Sequence, residues 1–477
     1  MASVKKAILF SVGEKYIVFF IQFASSVVLA RILSPHEIGI FSIGSLILSF
    51  SHALRDLGIS NYILQERELT QDRLRTAATI TLAMSWLLAI VALGVSGPIA
   101  GFYGEDGIGE VLVVLSFNFF ILPFGSVSVA LLKRNMQFDK LIRINLTAAA
   151  VHALVAIGLC SYGVGFIGLA WAGVAGTVVT VVMTLLIGRR EVSFRPTLSE
   201  WRRVLSTGGR FSASALLGEL GLGAPEMIAG KTMTIEAAGL LARAQGVVNL
   251  AYRSLMEGLL PVLMPFFSQS HRAGEDVAGS FIKSIRYLSA VSFPLFGCLT
   301  VAMDAIVQLL YGEQWNAAVG PARILCVGMA VLSIGHTAGA VVSGMGHAKY
   351  ALRFNLVGQP IKAVLVLLGS FYSLEHVAGG VAIGDALITA YTLVVLCRLL
   401  DLDGQHILSA LGSSLFVALC AASACLAFKM SFAGFGALTS VVGCMIASLL
   451  GWIVGLLMCR HPLGGEIGSI IRRLARS

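Results

Sequence analysis

Ionisable residues stand inside long apolar stretches of this chain. Glu219 and Glu226 lie seven residues apart, with Gly221, Gly223 and Pro225 between them. Seven residues is two helical turns, so both carboxyls share one face. Buried carboxyls can exchange a proton or hold a cation, and glycine and proline weaken a helix enough to let it bend. Arg243, Arg253 and Glu257 follow on one narrow arc, and earlier Lys15 and Gln22 share a face with Ser26. Ser42, Ser45, Ser49, His52 and Asp56 form a stripe at helical spacing. Arg31, Arg55, His152, Lys231 and Lys362 complete the basic set. Such groups hold anions. Glu219, Glu226, Asp56 and Glu257 are the candidates for ion coupling, and Pro225, Gly221 and Gly223 for a hinge. A plainer reading competes: Arg253 and Glu257 neutralise each other at i, i+4, while Lys15, Arg55 and Asp56 reach the headgroups. Ten formal charges lie within the apolar stretches, Glu14, Lys15, Arg55, Asp56, Glu219, Glu226, Arg243, Arg253, Glu257 and Lys362; leaving them in lipid would cost on the order of 25 to 35 kcal/mol, beyond a typical stability of about 5 to 15 kcal/mol. They must be paired or wet.

The elements that position them are membrane helices. Of the 477 residues 57% are hydrophobic and 12% charged, against about 25% charged in soluble domains, and the mean hydropathy is +0.87. Apolar runs long enough to span a bilayer place about 14 spans, at 7–30, 37–59, 77–101, 108–132, 141–161, 164–188, 210–230, 236–266, 285–310, 319–345, 352–372, 377–400, 406–428 and 433–459. Lys and Arg crowd alternate gaps, including Lys133, Arg134, Arg189, Arg190, Arg202, Arg203, Lys283 and Arg286. The other gaps hold only Arg31, Lys231, Arg323 and Lys429. The positive-inside rule then makes both termini cytoplasmic. It also accounts for the net charge of +9 without nucleic acid. The eight cysteines form no CxxC and read as small packing residues, with no metal site. No GxSxG, HExxH, Walker or dinucleotide fingerprint stands in a usable context, so neither an enzyme nor a cofactor is expected.

The chain also repeats itself. A shift of 210 lays Leu122, Gly125, Ala130, Arg143, Asn145 and Leu146 on Leu332, Gly335, Ala340, Arg353, Asn355 and Leu356, and His152 on Lys362. A shift of 200 lays Arg31 and Gly39 on Lys231 and Gly239. The expected fold is therefore an all-α polytopic membrane protein: two six-helix lobes related by a pseudo-twofold along the membrane normal, plus two extra C-terminal helices. The boundaries are an N-lobe at 1–188, a cytoplasmic interfacial linker at 189–209, a C-lobe at 210–400, the extra spans at 401–459 and a basic amphipathic tail at 460–477. In that tail Ile467, Ile470, Ile471 and Leu474 oppose Arg472, Arg473 and Arg476. Charge concentrated in spans 1, 2, 7 and 8 implies a hydrated central cavity.

Five segments carry a family resemblance: LARILSPHEIGIFSIG (29–44), RDLGISNYILQERELT (55–70), ALLKRNMQFDKL (130–141), FRPTLSEWRRVLSTGG (194–209) and DAIVQLLYGEQWNAAVGPARIL (304–325). In order and spacing they resemble the polysaccharide-export branch of the multidrug/oligosaccharidyl-lipid/polysaccharide (MOP) flippase superfamily, nearest the Wzx-type exporters of colanic acid and succinoglycan units. The resemblance covers about residues 1–400. It implies a 14-span flippase of the bacterial inner membrane that carries an undecaprenyl-diphosphate-linked oligosaccharide from the cytoplasmic to the periplasmic leaflet by alternating access. It also implies a cationic cavity, in which Arg243 and Arg253, then Arg31, Arg55 and Lys362, would hold the diphosphate, with His152, Lys231, Lys15 and Gln22 completing the lining. Membrane lipids and the polymerase and chain-length proteins of the same pathway are the implied partners. Two alternatives stand beside this reading. A cation-coupled multidrug antiporter of the same superfamily should have an acidic cavity. A membrane glycosyltransferase or polymerase should have larger external loops than the short ones here.

Overall fold

Capping and proline chemistry set the helix ends where hydropathy alone does not see them. In the computed structural model, the residues described are 2–56, 59–66, 68–187, 196–199, 201–347, 349–432, 434 and 436–466. Among them there are sixteen α-helices, one 3-10 helix at Glu313–Ala318 and no strand. The first helices are α1 (Ala2–Ile32), α2 (Pro35–Asp56), α3 (Ile59–Gln65), α4 (Gln71–Tyr103), α5 (Asp106–Ile121), α6 (Pro123–Arg134), α7 (Phe138–Ser161) and α8 (Phe166–Ile187). They are followed by α9 (Trp201–Thr232), α10 (Ile235–Arg272), α11 (Val277–Leu310), α12 (Val319–Gly344), α13 (Lys349–Ser370), α14 (Leu374–Leu400), α15 (Gly404–Ser431) and α16 (Ala437–Met458). The Thr70 hydroxyl accepts from the Arg73 amide and the Asp276 carboxylate from the Gly279 amide. These caps start α4 and α11 upstream of the apolar runs expected at 77 and 285, because a side-chain acceptor satisfies the free N–H groups of the first turn. Likewise α9 begins at Trp201, inside the segment expected as linker. Residues 188–195, and the amphipathic tail beyond 466, lie outside the described residues.

Among the described residues, ten helices are long and apolar enough to cross a membrane, or eleven if the bent pair α5–α6 is one span. The pair bends by 57° within the single span expected at 108–132, at Pro123, one of the prolines the sequence offers as a kink site. Pro123 opens α6; it lacks an amide to continue the ladder and its ring crowds the preceding turn. By contrast Pro98, Pro225, Pro294 and Pro360 lie within helices that run through them. Of the 14 expected spans, eleven are thus found among the described residues. The other three expected spans fall on α2, α9 and α10, each of which includes side chains outside the described residues.

The chain divides into two compact units, Met1–Gly239 and Leu240–Ser477. In the first, α4 packs on α5, α5 on α8 and α8 on α7, while α2 packs on α5 and α9. Its core centres on Ile40, Ile43, Val111, Leu112, Phe119 and Ala170. In the second, α11 packs on α12, α12 on α14 and α14 on α13, around Phe267, Phe281, Ile334, Val341, Phe354 and Leu396. The helices equivalent under the internal repeat thus have the same order of neighbours. The likeness reaches single residues. A Cβ on Gly125 would meet Val181, and one on Gly335 would meet Thr389. A Cβ on Gly176 would lie 3.4 Å from the Cβ of His152, and one on Gly384 would lie 2.6 Å from the Cβ of Lys362.

Polar bonds fasten α15 and α16 to α11. The Lys429 ammonium donates to both Asp304 carboxylate oxygens, at 2.6 and 2.8 Å, and to the Val301 carbonyl at 2.9 Å. The Trp452 indole donates to the Ala290 carbonyl at 2.7 Å. Leu154, Leu186, Leu368 and Leu449 are exposed, an outer surface suited to lipid.

Candidate functional site

In the first unit, α2 and α9 carry a buried polar contact. Glu226 is buried, and the Ser42 hydroxyl donates to its carboxylate. The glycines of α9 allow that approach. A Cβ on Gly223 would come within 3.1 Å of Leu46 and 3.4 Å of Phe50, and one on Gly230 would strike Ile43. Close packing thus accounts for glycine at 223, with Gly221 and Pro225 buried nearby. Glu219 is half-buried on the same helix. A second close crossing joins the starts of α2 and α10. A Cβ on Gly39 would strike the Ile235 carbonyl, and one on Gly239 the Pro35 carbonyl. Positions 39 and 239 are equivalent under the repeat shift of 200, so the contact is reciprocal.

Lys231 ends α9 with its ammonium donating to the Phe102 carbonyl and lying 4.3 Å from the Phe102 ring centroid. It closes the carbonyl end of α4, where a cation is favoured. Its repeat counterpart Arg31 is exposed, as are Lys15 and Gln22, and Arg55 is half-buried near the end of α2. His152 is half-buried on α7. The side chains of Glu14, His52, Asp56 and Glu257 lie outside the described residues, and with them the expected Arg253–Glu257 pair.

In the second unit, the Arg243 guanidinium lies 5.6 Å from the ring centroids of both Tyr311 and Trp315. Trp315 is fully buried in the 3-10 turn before α12. The rings give the cation an electrostatic partner in a dry setting. Arg253, one helix face further along α10, is exposed. Lys362 on α13 and Asp385 on α14 form an ion pair at 3.1 Å, with both side chains only 7% exposed. Beside it, the Tyr252 hydroxyl of α10 bonds the Nδ1 of His336 on α12.

The sequence places Lys362 with the anion-binding residues and gives it no partner. It leaves Asp385, Tyr252 and His336 unmarked as well. A signal for Asp385 is present: an aspartate in the middle of the apolar run VAIGDALIT. Tyr252 and His336 give no such signal, because either side chain alone on an apolar helix is ordinary packing. Among the described residues no group of His, Cys, Asp and Glu is placed to hold a metal.

Helices of this order, with charged and polar side chains held among them, make a polytopic all-α fold, and that fold is shared with solved structures of MOP-superfamily proteins. The solved structure of a lipid II flippase, MurJ in an inward closed conformation, superposes with a TM-score of 0.76 at 12% identity, covering 95% of this chain and 99% of that one. The family described as "Polysaccharide biosynthesis protein" matches residues 28–320, well over half of the chain, and the chain belongs to that family. Curated relatives include the lipopolysaccharide biosynthesis protein WzxC of Escherichia coli, 24% identical over 336 residues, covering 69% of this chain and 67% of the relative. The succinoglycan biosynthesis transport protein ExoT of Rhizobium meliloti is 22% identical over 344 residues, covering 70% and 68%.

Proposed function

We propose that this protein is a flippase for lipid-linked oligosaccharide precursors of a surface or exported polysaccharide, and not an enzyme. Membership of the polysaccharide biosynthesis family carries the reading; relatives named for polysaccharide transport and lipid flipping support it. The physical case is consistent. An undecaprenyl-diphosphate-linked repeat unit has an anionic diphosphate, a glycan that cannot enter hydrocarbon, and a polyprenyl tail that can stay there. Arg243, Arg253, Arg31 and Arg55 are the groups for the diphosphate. The half-buried Ser45 and Ser49 are the hydroxyls of the α2 stripe offered to sugar, Ser42 being bonded to Glu226. Glu219 and Glu226 are the carboxyls for ion coupling. The protein sits in the bacterial cytoplasmic membrane with both termini inside, and it moves the unit outward by alternating access.

The test is a deletion strain together with purified protein in vesicles. Accumulation of a lipid-linked oligosaccharide on the cytoplasmic leaflet, and protein-dependent flipping of that lipid in vesicles, is the expected result. Loss of drug resistance with normal polysaccharide export would instead identify a drug antiporter.

A further inference from the structure

Four cations, Arg31, Lys231, Arg323 and Lys429, fall in gaps that are otherwise poor in Lys and Arg. Two of them, Arg323 of α12 and Lys429 of α15, converge on one carboxylate, Asp304 of α11, within the second unit. Asp304 lies in the last two turns of α11, Arg323 in the first two of α12 and Lys429 in the last turn of α15. At a rise of about 1.5 Å per residue all three are within about 9 Å of their helix ends, where the acyl region gives way to headgroups.

The charges of this cluster do not balance. An ammonium has three N–H groups, and Lys429 uses all of them, on the two Asp304 oxygens at 2.6 and 2.8 Å and on the Val301 carbonyl at 2.9 Å. Both carboxylate oxygens are thereby taken. The Arg323 Nη2 stands 3.5 Å from Asp304 Oδ1, beyond the roughly 2.7 to 2.9 Å of a charge-assisted hydrogen bond. Its Nε–H is buried with no partner. Among the described residues Asp304 is the only carboxylate paired with Arg323. Glu375 of α14 approaches the same end of α12 at Gly320, and its Oε2 accepts from the Ser373 hydroxyl at 2.9 Å. Two cations on one carboxylate leave one positive charge over, and it belongs to the guanidinium, which is 42% exposed.

The surface around that guanidinium is apolar. Val327, one turn further along the same face of α12, is 59% exposed. At the repeat shift of 210, Arg323 and Val327 fall on Val113 and Phe117 of α5, and both of those are exposed. The first half thus presents an apolar strip where the second half places a guanidinium at the head of one. Next to Lys429 along the chain, Met430 and Phe432 are exposed as well. A planar fork of N–H groups suits two oxygens of a phosphate, and acyl chains would cover the apolar side chains below it. A free phosphate would leave them bare.

We propose that Arg323 is a binding site for the phosphodiester of an anionic phospholipid at the joined ends of α11, α12 and α15, with Asp304 and Lys429 holding one edge of the guanidinium. The bound lipid supplies the negative charge that the cluster lacks. With the orientation proposed above, that lipid belongs to the external leaflet. The site needs only that these helix ends lie at headgroup depth, so it does not depend on which lipid-linked unit the protein carries.

The experiment uses the full chain in mild detergent, with phosphatidylglycerol added and retained lipid read by native mass spectrometry. Wild type should retain one such lipid, and Arg323→Gln about tenfold less at the same lipid concentration, because a charge-assisted contact to phosphate is lost. Arg323→Lys should fall between them, keeping the charge without the fork. Thermal unfolding separates lost binding from misfolding: without lipid, wild type and Arg323→Gln should unfold together, and phosphatidylglycerol should raise the midpoint of wild type alone. The double variant Lys429→Gln/Asp304→Asn removes a neutral pair and leaves the Arg323 charge, so it should still retain the lipid. Loss of retention in that double variant overturns the assignment to Arg323. Equal loss in Lys349→Gln, at an exposed lysine of α13, overturns it as general charge attraction. Inorganic phosphate is the second probe: if it displaces phosphatidylglycerol from wild type, the site takes phosphate alone and the lipid is overturned.

Discussion

Ser42 on α2 donates its hydroxyl to the carboxylate of Glu226 on α9, in a contact buried from solvent and 184 residues apart in sequence. Removing a donor from a buried carboxylate exposes its desolvation cost, typically about 1 to 3 kcal/mol. Ser42→Ala should therefore lower the unfolding temperature of the purified protein. Glu226→Gln removes the charge but keeps an acceptor for the Ser42 hydroxyl, so it should fold normally. If Glu226 couples an ion, that variant loses the dependence of vesicle transport on the imposed proton or sodium gradient. Unchanged gradient dependence would make the contact structural.

Gly39 and Gly239 hold the starts of α2 and α10 at backbone contact, each where a methyl group would strike a carbonyl of the other helix. Alanine at either position must push two backbones apart, which costs at least the roughly 1 to 3 kcal/mol of ordinary overpacking. Gly246, on the same helix α10, has open space around it: a methyl group there would meet nothing within 4 Å. Gly246→Ala should be neutral or stabilise by up to about 1 kcal/mol through helix propensity. Thermal unfolding of the three variants checks this; equal effects at 39, 239 and 246 would remove the special role of the crossing.

Much of this is legible in the sequence for a physical reason: hydrophobic length and the repeat are both one-dimensional signals. Length locates the apolar helices, and the repeat places His152 opposite Lys362 without any knowledge of packing. Helix ends are less legible because a single cap such as Thr70 or Asp276 overrides the edge of an apolar run. The partners of charges are not legible at all. Lys362 and Asp385 are 23 residues apart on two helices, and no periodicity says which side chains meet. Lys231 reads as an anion ligand by its sequence position, yet it is the α4 carbonyl end that decides what it bonds.

Arg243 stands against the rings of Tyr311 and Trp315, which tests its role as a phosphate contact. A cation over such rings is worth about 0.5 to 2 kcal/mol. Trp315→Leu should weaken the hold on Arg243 and reduce export several-fold at normal membrane levels. Arg243→Ala should abolish export, and Arg243→Lys should partly restore it, because the charge remains but the planar fork does not. Full export by Arg243→Ala, measured as surface polysaccharide, removes this residue from the mechanism.

His461 follows α16 and is almost fully buried. Its Nδ1 accepts from the Leu463 amide at 3.2 Å. Burial, and then the nearby positive charge of Arg286, pull its pKa below the usual imidazole range. The unfolded segment binds a proton more readily than the folded one, so the folded packing is fully stable above about pH 6.5 and loses stability as pH falls below that value. Amide exchange over residues 460–466 should therefore speed up between about pH 7.5 and about pH 5.5, beyond the intrinsic effect of pH on exchange. His461→Phe should remove the excess. An excess that survives in that variant assigns it to another group.

The proposed orientation in the membrane rests on the segregation of Lys and Arg, and single-cysteine labelling reads it directly. The background must lose its eight native cysteines, and three of them are not independent. Cys298 and Cys425 lie 3.9 Å apart, and Cys444 donates to the Cys425 carbonyl, with Cys425 and Cys444 buried. Alanine there opens a small void and costs of the order of 1 kcal/mol per site, so valine at one of the three should give a more stable background than three alanines. On that background, an impermeant thiol reagent added to intact cells should label cysteines placed at 106 and 314. It should leave those at 200 and 462 untouched until the cells are opened. Labelling at 200 in intact cells would invert the proposed topology and, with it, the proposed direction of transport.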